Sequence, residues 1–142
     1  MDQRIHIITV ATPDLDAARA FYASAGWTAQ FDVPGEILFY QVAPGLVLGM
    51  FDEAKYREDL GVASRGTGVG GLTLAHNVDS REAVIEVVAA LRRAGGTVLQ
   101  EPSDGKFGGI FHAHVEDPNG LLWEIAHNPG WTIDDQGNTI FG

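Results

Sequence analysis

Apolar residues recur along the chain with two alternating periods. Residues 5–10 form a mostly apolar, β-branched run suited to a strand. Thr12-Pro13-Asp14 follows, offering a cap, a proline for the first helical position and an acid for the first turn. Leu15, Ala18, Tyr22 and Ala25 then return at helical spacing, and Gly26 is placed to stop that helix. Strands are expected at 37–42 and 46–50, joined through Ala43-Pro44-Gly45. A short polar helix around Glu53 to Asp59 precedes the glycine-rich segment 61–71, which reads as a linker.

The second half repeats this order. Residues 72–78 form a strand pattern, and Asp79 stands three residues before Glu82, the spacing of a capping box. Val84, Val87, Val88 and Leu91 make the apolar helical stripe, and Gly95-Gly96 ends it. A short strand is expected at 97–99. Two more, at 111–116 and 121–126, flank the turn Asp117-Pro118-Asn119-Gly120. The pattern β-α-β-β-β thus occurs twice, and the fold class is α+β. Tight turns between most strands argue against a doubly wound parallel sheet, which needs crossover helices. Two such modules can combine into an open, curved, barrel-like sheet, with a central groove as the default binding site. The expected organisation is one domain, 1–142. It comprises a first module at 4–60, the linker at 61–71, a second module at 72–130 and a C-terminal tail at 131–142.

Composition narrows the chemistry. The 142 residues suffice for one core, and the absence of cysteine excludes disulfides, cysteine-ligated metals and a thiol nucleophile. Nineteen Asp and Glu oppose nine Lys and Arg, a net charge of −10. Arg92-Arg93 is the nearest approach to a basic patch, so nucleic acid and anionic membranes are not expected partners. No apolar run approaches the ~20 residues of a membrane span. No leader pattern opens the sequence, and a cytoplasmic location is expected.

Two segments carry a family resemblance. Val10-Ala-Thr-Pro-Asp-Leu-Asp-Ala-Ala-Arg-Ala-Phe-Tyr22, followed by Gly26-Trp27, resembles the opening of proteins in the vicinal oxygen chelate superfamily. That superfamily includes glyoxalase I, bleomycin-resistance proteins and extradiol dioxygenases. Glu116-Asp-Pro-Asn-Gly-Leu-Leu-Trp-Glu-Ile125, with His127-Asn-Pro129 after it, is similar to the closing hairpin of the second module. The resemblance spans residues 4 to 130 and implies paired βαβββ modules, a small-molecule ligand and a homodimer.

It also implies where metal-dependent members hold a divalent ion: on the first strand of each module and the last strand of the second. By that analogy the positions here are Ile7, Thr73 and Glu124. Ile7 offers no donor, Thr73 offers only a hydroxyl, and Glu124 alone matches. No acid stands at Leu48 to Met50, where a further carboxylate would fall. The expected state is therefore metal-free, with no cofactor. If a divalent ion such as Zn, Ni, Mn or Fe is used, Glu124 with His6 or His76 is the candidate set. His112 and His114 form an i,i+2 pair able to chelate, but the same alternation suits a solvated strand face.

Alternation puts Glu124 opposite Trp123 and Ile125, so it is the candidate catalytic base as well as a ligand contact. Trp27 and Phe39 join Ile7, Thr73 and Glu124 as candidate ligand-binding residues. The glycine-rich stretches are neither dinucleotide fingerprints nor phosphate loops, although Lys106 could sit on a lip over the groove. In the tail, Trp131 or Phe141 is expected to pack back on the body or on a second subunit. The expected function is a metal-free small-molecule binder. The alternative is a metal-dependent lyase, isomerase or dioxygenase using Glu124, so whether the protein is an enzyme stays open at this stage.

Overall fold

The computed structural model describes residues 6–60, 72–105, 109–136 and 139–141. The expected linker at 61–71, Lys106 and the packing of the Phe141 side chain lie outside the described residues. Residue contacts divide the chain into two compact units. One holds residues up to Leu72 together with Asp117–Leu121, and the other holds Thr73–Glu116 and Leu122–Gly142.

The first unit contains β1 (Ile7–Thr12), α1 (Leu15–Ser24), β2 (Phe31–Val33), β3 (Ile37–Ala43), β4 (Leu46–Asp52) and α2 (Glu53–Leu60). Its sheet runs β1-β4-β3-β2, with β1 and β4 parallel and the other neighbours antiparallel. The expected βαβββ order is present, and α1 supplies the long connection that the strands after it do without. Leu15, Ala18, Phe21 and Tyr22 of α1 are buried, as are Val10, Leu38, Tyr40, Leu48 and Met50 of the strands. Each large side chain so buried is worth about 1.5–3 kcal/mol before entropy is counted. Strand alternation puts Leu38 and Tyr40 in register with Met50 and Leu48, so these residues share the face that α1 covers.

The cap of α1 differs from expectation by two residues. Asp14 is the N-cap, its carboxylate accepting the Ala17 N–H at 2.8 Å, while the Thr12 hydroxyl donates to the Val10 carbonyl. Pro13 therefore precedes the helix, and Asp14 rather than Thr12 satisfies a free amide of its first turn.

The Asp117–Leu121 turn packs with this unit. The buried Asp117 carboxylate accepts the Tyr22 hydroxyl at 2.9 Å and the backbone N–H groups of Asn119 and Leu121 at 2.8 and 2.9 Å. Asn119 in turn accepts the Asp14 N–H and donates to the Asp14 carbonyl. Gly120 closes the turn at φ +83°, a conformation that favours glycine.

The second unit contains β5 (Thr73–Asn77), α3 (Arg81–Arg93), β6 (Thr97–Asp104), β7 (Phe111–Glu116) and β8 (Leu122–His127). Its sheet order, β5-β8-β7-β6 with β5 and β8 parallel, repeats that of the first unit. Ser80 caps α3, accepting the Ala83 N–H at 3.1 Å, so the cap lies one residue beyond the expected Asp79. Val84 and Val88 of α3 are buried, as are Phe111, Ala113, Val115, Trp123 and Ile125 of the strands. Arg81 of α3 lies over the Phe111 ring at 4.1 Å, which identifies this as the face that α3 covers. β9 (Trp131–Ile133) and β10 (Thr139–Phe141) form the antiparallel hairpin expected of the tail. Trp131 itself is 44% exposed.

Neither four-stranded sheet closes on itself. No helix among the described residues is long and apolar enough to cross a membrane.

Candidate functional site

Each sheet has one face against its helix and one face that its helix leaves uncovered. The two uncovered faces differ in chemistry. On the first, register places Ile7 and Val47, Thr9 and Gly49, and Phe31 and Phe39 side by side. Ile7 and Phe31 are half-exposed, and the Phe31 and Phe39 rings lie 5.8 Å apart. Phe39 rests over Gly49, where a Cβ would stand 3.0 Å from its ring. This face is largely apolar.

The uncovered face of the second sheet is polar. His114 stands level with Glu124, His112 with Ala126, and both histidines alternate with the buried Phe111, Ala113 and Val115. Across β6, Gln100 stands level with His114 and Ser103 with His112. His112, His114 and Glu124 are all half-buried, their side chains 19–26% exposed.

Hydrogen-bond partners fix the tautomers of this group. His112 Nδ1 lies 2.7 Å from Glu124 Oε1, so it donates to the carboxylate. Its Nε2 then accepts from the Gln100 amide nitrogen at 3.4 Å, and that amide also donates to the Ser103 hydroxyl at 3.1 Å. The Gln100 carbonyl accepts from His114 Nδ1 at 2.9 Å. In the neutral ring this leaves His114 Nε2 bare, its lone pair 3.9 Å from Glu124 Oε1. Gln100 thus orients both rings, and the group has one open basic nitrogen beside one carboxylate.

Ion pairs outside this group are structural. Arg19 grips Asp32 through two hydrogen bonds of 2.7 and 2.8 Å and also pairs with Asp16. The guanidinium holds the Asp32 carboxyl below its ordinary range, and Arg81 does the same to Asp104. Burial pushes the Tyr40 phenol up.

The expected site residues separate in a definite way. Glu124 lies on the uncovered polar face, and Thr73 is on the same face of β5, two residues from the Ala75 that stands level with Glu124. His76 stands level with Ile125, out of phase with Glu124, so the two occupy opposite faces of the sheet. His6 and Ile7 belong to the first unit, both exposed. Ile7 and Phe39 share its uncovered face. Trp27 does not: its ring packs 5.1 Å from Tyr22 and 5.4 Å from Tyr40, on the helix side.

Gln100 and Ser103 were not legible as site residues. The strand they occupy was expected to end at Leu99, whereas β6 continues to Asp104 through two register shifts and past Pro102. The usable signal was the alternation of His112 and His114 with apolar neighbours.

The metal positions implied for the family do not fit this chain. Ile7 has no ligand atom, and Thr73 contributes one neutral hydroxyl, whereas stable transition-metal sites use several His, Asp or Glu donors. Among the described residues, the group of three that could offer such donors is His112, His114 and Glu124.

Comparison with known proteins agrees with the architecture. Residues 4–125 match the model of the Glyoxalase/Bleomycin resistance protein/Dioxygenase superfamily. A solved glyoxalase-related enzyme from Fulvimarina pelagi is 37% identical, with a TM-score of 0.89 over 99% of each chain. A glyoxalase/bleomycin resistance protein/dioxygenase family enzyme from Burkholderia phytofirmans PsJN shares the fold. It is 22% identical with a TM-score of 0.73, covering 86% of this chain and 96% of its own. A curated Brassica oleracea var. gemmifera protein named "Putative lactoylglutathione lyase" is 38% identical over 65 residues. That match spans 46% of this chain and about a fifth (22%) of the curated relative.

Proposed function

The chain belongs to the Glyoxalase/Bleomycin resistance protein/Dioxygenase superfamily, and we propose that it is a small-molecule-binding member that does not use the superfamily's first-strand chelating set. The observation that carries this reading is the chemistry of Ile7 and Thr73 beside the retained carboxylate of Glu124. With no ligand atom at Ile7 and only a neutral hydroxyl at Thr73, an ion at the usual position would keep one strong protein ligand of three. Glu124 instead presents an acceptor that His112 orients by a 2.7 Å hydrogen bond. It would receive a donor on the ligand, with Thr73 available on the same face. On the first unit, taken by itself, Ile7 and Phe39 share a largely apolar face. A homodimer working in the cytoplasm is part of this proposal.

A fragment library screened by ligand-observed NMR against chelator-treated protein tests it. Binding that survives chelation and weakens about tenfold in Glu124→Gln is expected, the loss of roughly one charge-assisted hydrogen bond. Fragments that bind Glu124→Gln as tightly as the natural protein would contradict it.

A second reading, a metal-dependent lyase, isomerase or dioxygenase, is favoured by one observation: two histidines flank the carboxylate that such chemistry would use. Glu124 could then serve as base or as ligand, roles that metal-dependent turnover and its loss in Glu124→Ala would reveal.

A further inference from the structure

We propose that His112, His114 and Glu124 form a divalent transition-metal site on the uncovered face of the second sheet, built from β7 and β8 rather than from the first strands. The site shares Glu124 with the ligand-binding reading but does not require it, because the cation can bind with no organic ligand present.

Geometry comes first. One donor atom from each of the three residues lies within 4.8 Å of the other two. The His112 Nδ1–Oε1 and His114 Nε2–Oε1 separations are 2.7 and 3.9 Å. An ion would take the place of the proton that His112 Nδ1 donates to Oε1, which must leave Nδ1 for that nitrogen to ligate. With metal bonds of about 2.0–2.2 Å, adjacent donors stand about 3.0–3.5 Å apart, so one separation must open and the other close by under ~1 Å. Side-chain rotation supplies shifts of that size without moving the strands.

Orientation is the second support. Metal-ligating histidines usually donate their other ring N–H to a carbonyl or carboxylate, which fixes the tautomer. His114 does so already: Nδ1–H donates to Gln100, and the bare Nε2 faces Glu124. In the neutral ring a lone pair and a carboxylate face each other at 3.9 Å, an arrangement that a cation between them would stabilise. Among the described residues, no Lys or Arg forms an ion pair with Glu124. The net charge of −10 favours a cation as well.

Donor type selects the metal. Two imidazoles and one carboxylate suit Zn²⁺, Co²⁺ or Ni²⁺ and are poor for Ca²⁺ or Mg²⁺, which prefer oxygen alone. Three protein ligands leave at least one coordination position for water or a small molecule.

The test uses the full chain without an affinity tag, stripped with chelator and dialysed. Titration with ZnCl₂ by calorimetry should give one ion per chain, and CoCl₂ should produce the visible absorption of a low-coordinate nitrogen–oxygen site. His112→Ala and His114→Ala should each weaken binding about 100-fold or more, and Gln100→Ala about 10- to 100-fold through lost orientation. His76→Ala, on the opposite face, should leave binding unchanged. Circular dichroism verifies folding of each variant, and His112→Gln and His114→Gln replace any alanine variant that does not fold. Saturating MgCl₂ should not compete. Absence of heat and of cobalt bands at tenfold excess would overturn the proposal, as would binding that the His112 and His114 variants do not alter. Because the ligand screen above uses chelated protein, its failure and the failure of metal binding are separate outcomes.

Discussion

Replacing Asp117 tests how the Asp117–Leu121 turn is held. Asp117 is 5% exposed, and its carboxylate accepts three hydrogen bonds, from the Tyr22 hydroxyl and the Asn119 and Leu121 amides. A hydrogen bond to a charged group contributes about 1.5–3 kcal/mol. The Tyr22 bond should count in full, since Tyr22 is 2% exposed and water cannot replace its partner without a rearrangement. The Asn119 amide is only part-buried and can be rehydrated, so the two turn amides together count as about one bond. Asp117→Ala should therefore destabilise by about 3–5 kcal/mol. Asp117→Asn keeps an acceptor for both amides and should cost about 1–2 kcal/mol. Tyr22→Phe should cost a similar amount, because it leaves Asp117 Oδ2 short of a donor. Urea denaturation of the three variants, with Tyr22→Phe combined with Asp117→Ala in a double-mutant cycle, should give a coupling of about 1–2 kcal/mol. An Asp117→Ala loss below about 1 kcal/mol, or equal losses for Ala and Asn, would refute the stated role of the carboxylate.

Three further outcomes follow from the same structure. Gly105→Ala places a Cβ against the Ile110 side chain and 3.4 Å from His112 Nε2, and should destabilise by about 1–3 kcal/mol in urea melts. A neutral result would contradict the close approach of Ile110 to Gly105. Arg19→Gln frees Asp32, whose depressed titration contributes stability that is fully present above its ordinary value of 3.8 and is lost as pH falls through the lowered one. The variant should therefore show a flatter stability profile on the acid side of pH 4, and Asp32 followed by carboxyl NMR should titrate at higher pH. Tyr40 should ionise later than the free phenol in an alkaline ultraviolet titration, since burial raises it. Stability from that burial should fall as pH rises past 10. A Tyr40 midpoint at the ordinary value would contradict the packing described around it.

The module order was legible because the two periods are well separated here. Leu15, Ala18 and Tyr22 mark one covered face, and Val84 and Val88 mark the other, all with the burial their spacing implies. The caps were misplaced by one or two residues because Thr12 and Asp14, like Asp79 and Ser80, are equally good cap types. Only the backbone turn decides which side chain reaches the third amide. Strand β6 was cut short because Pro102 and the polar residues around it break the alternation that identifies strands, while irregular pairing with β7 carries it onward. Gln100, which links His112 and His114, lies beyond that break. For Trp27 the spacing does not decide a direction: a tryptophan after a helix stop can turn either way, and the half-buried ring packs against Tyr22 and Tyr40. The face that Glu124 occupies was legible because strand alternation alone sets it opposite Trp123 and Ile125.

The central claim is that this chain has moved its chemistry off the first strands and onto the uncovered face around Glu124. Anomalous diffraction at the cobalt edge, from crystals of chelator-stripped protein soaked in CoCl₂, tests it most directly. A single strong peak bonded to His112, His114 and Glu124 is the predicted result. A peak centred on Thr73 or His76, or a map with no peak near Glu124, would contradict it.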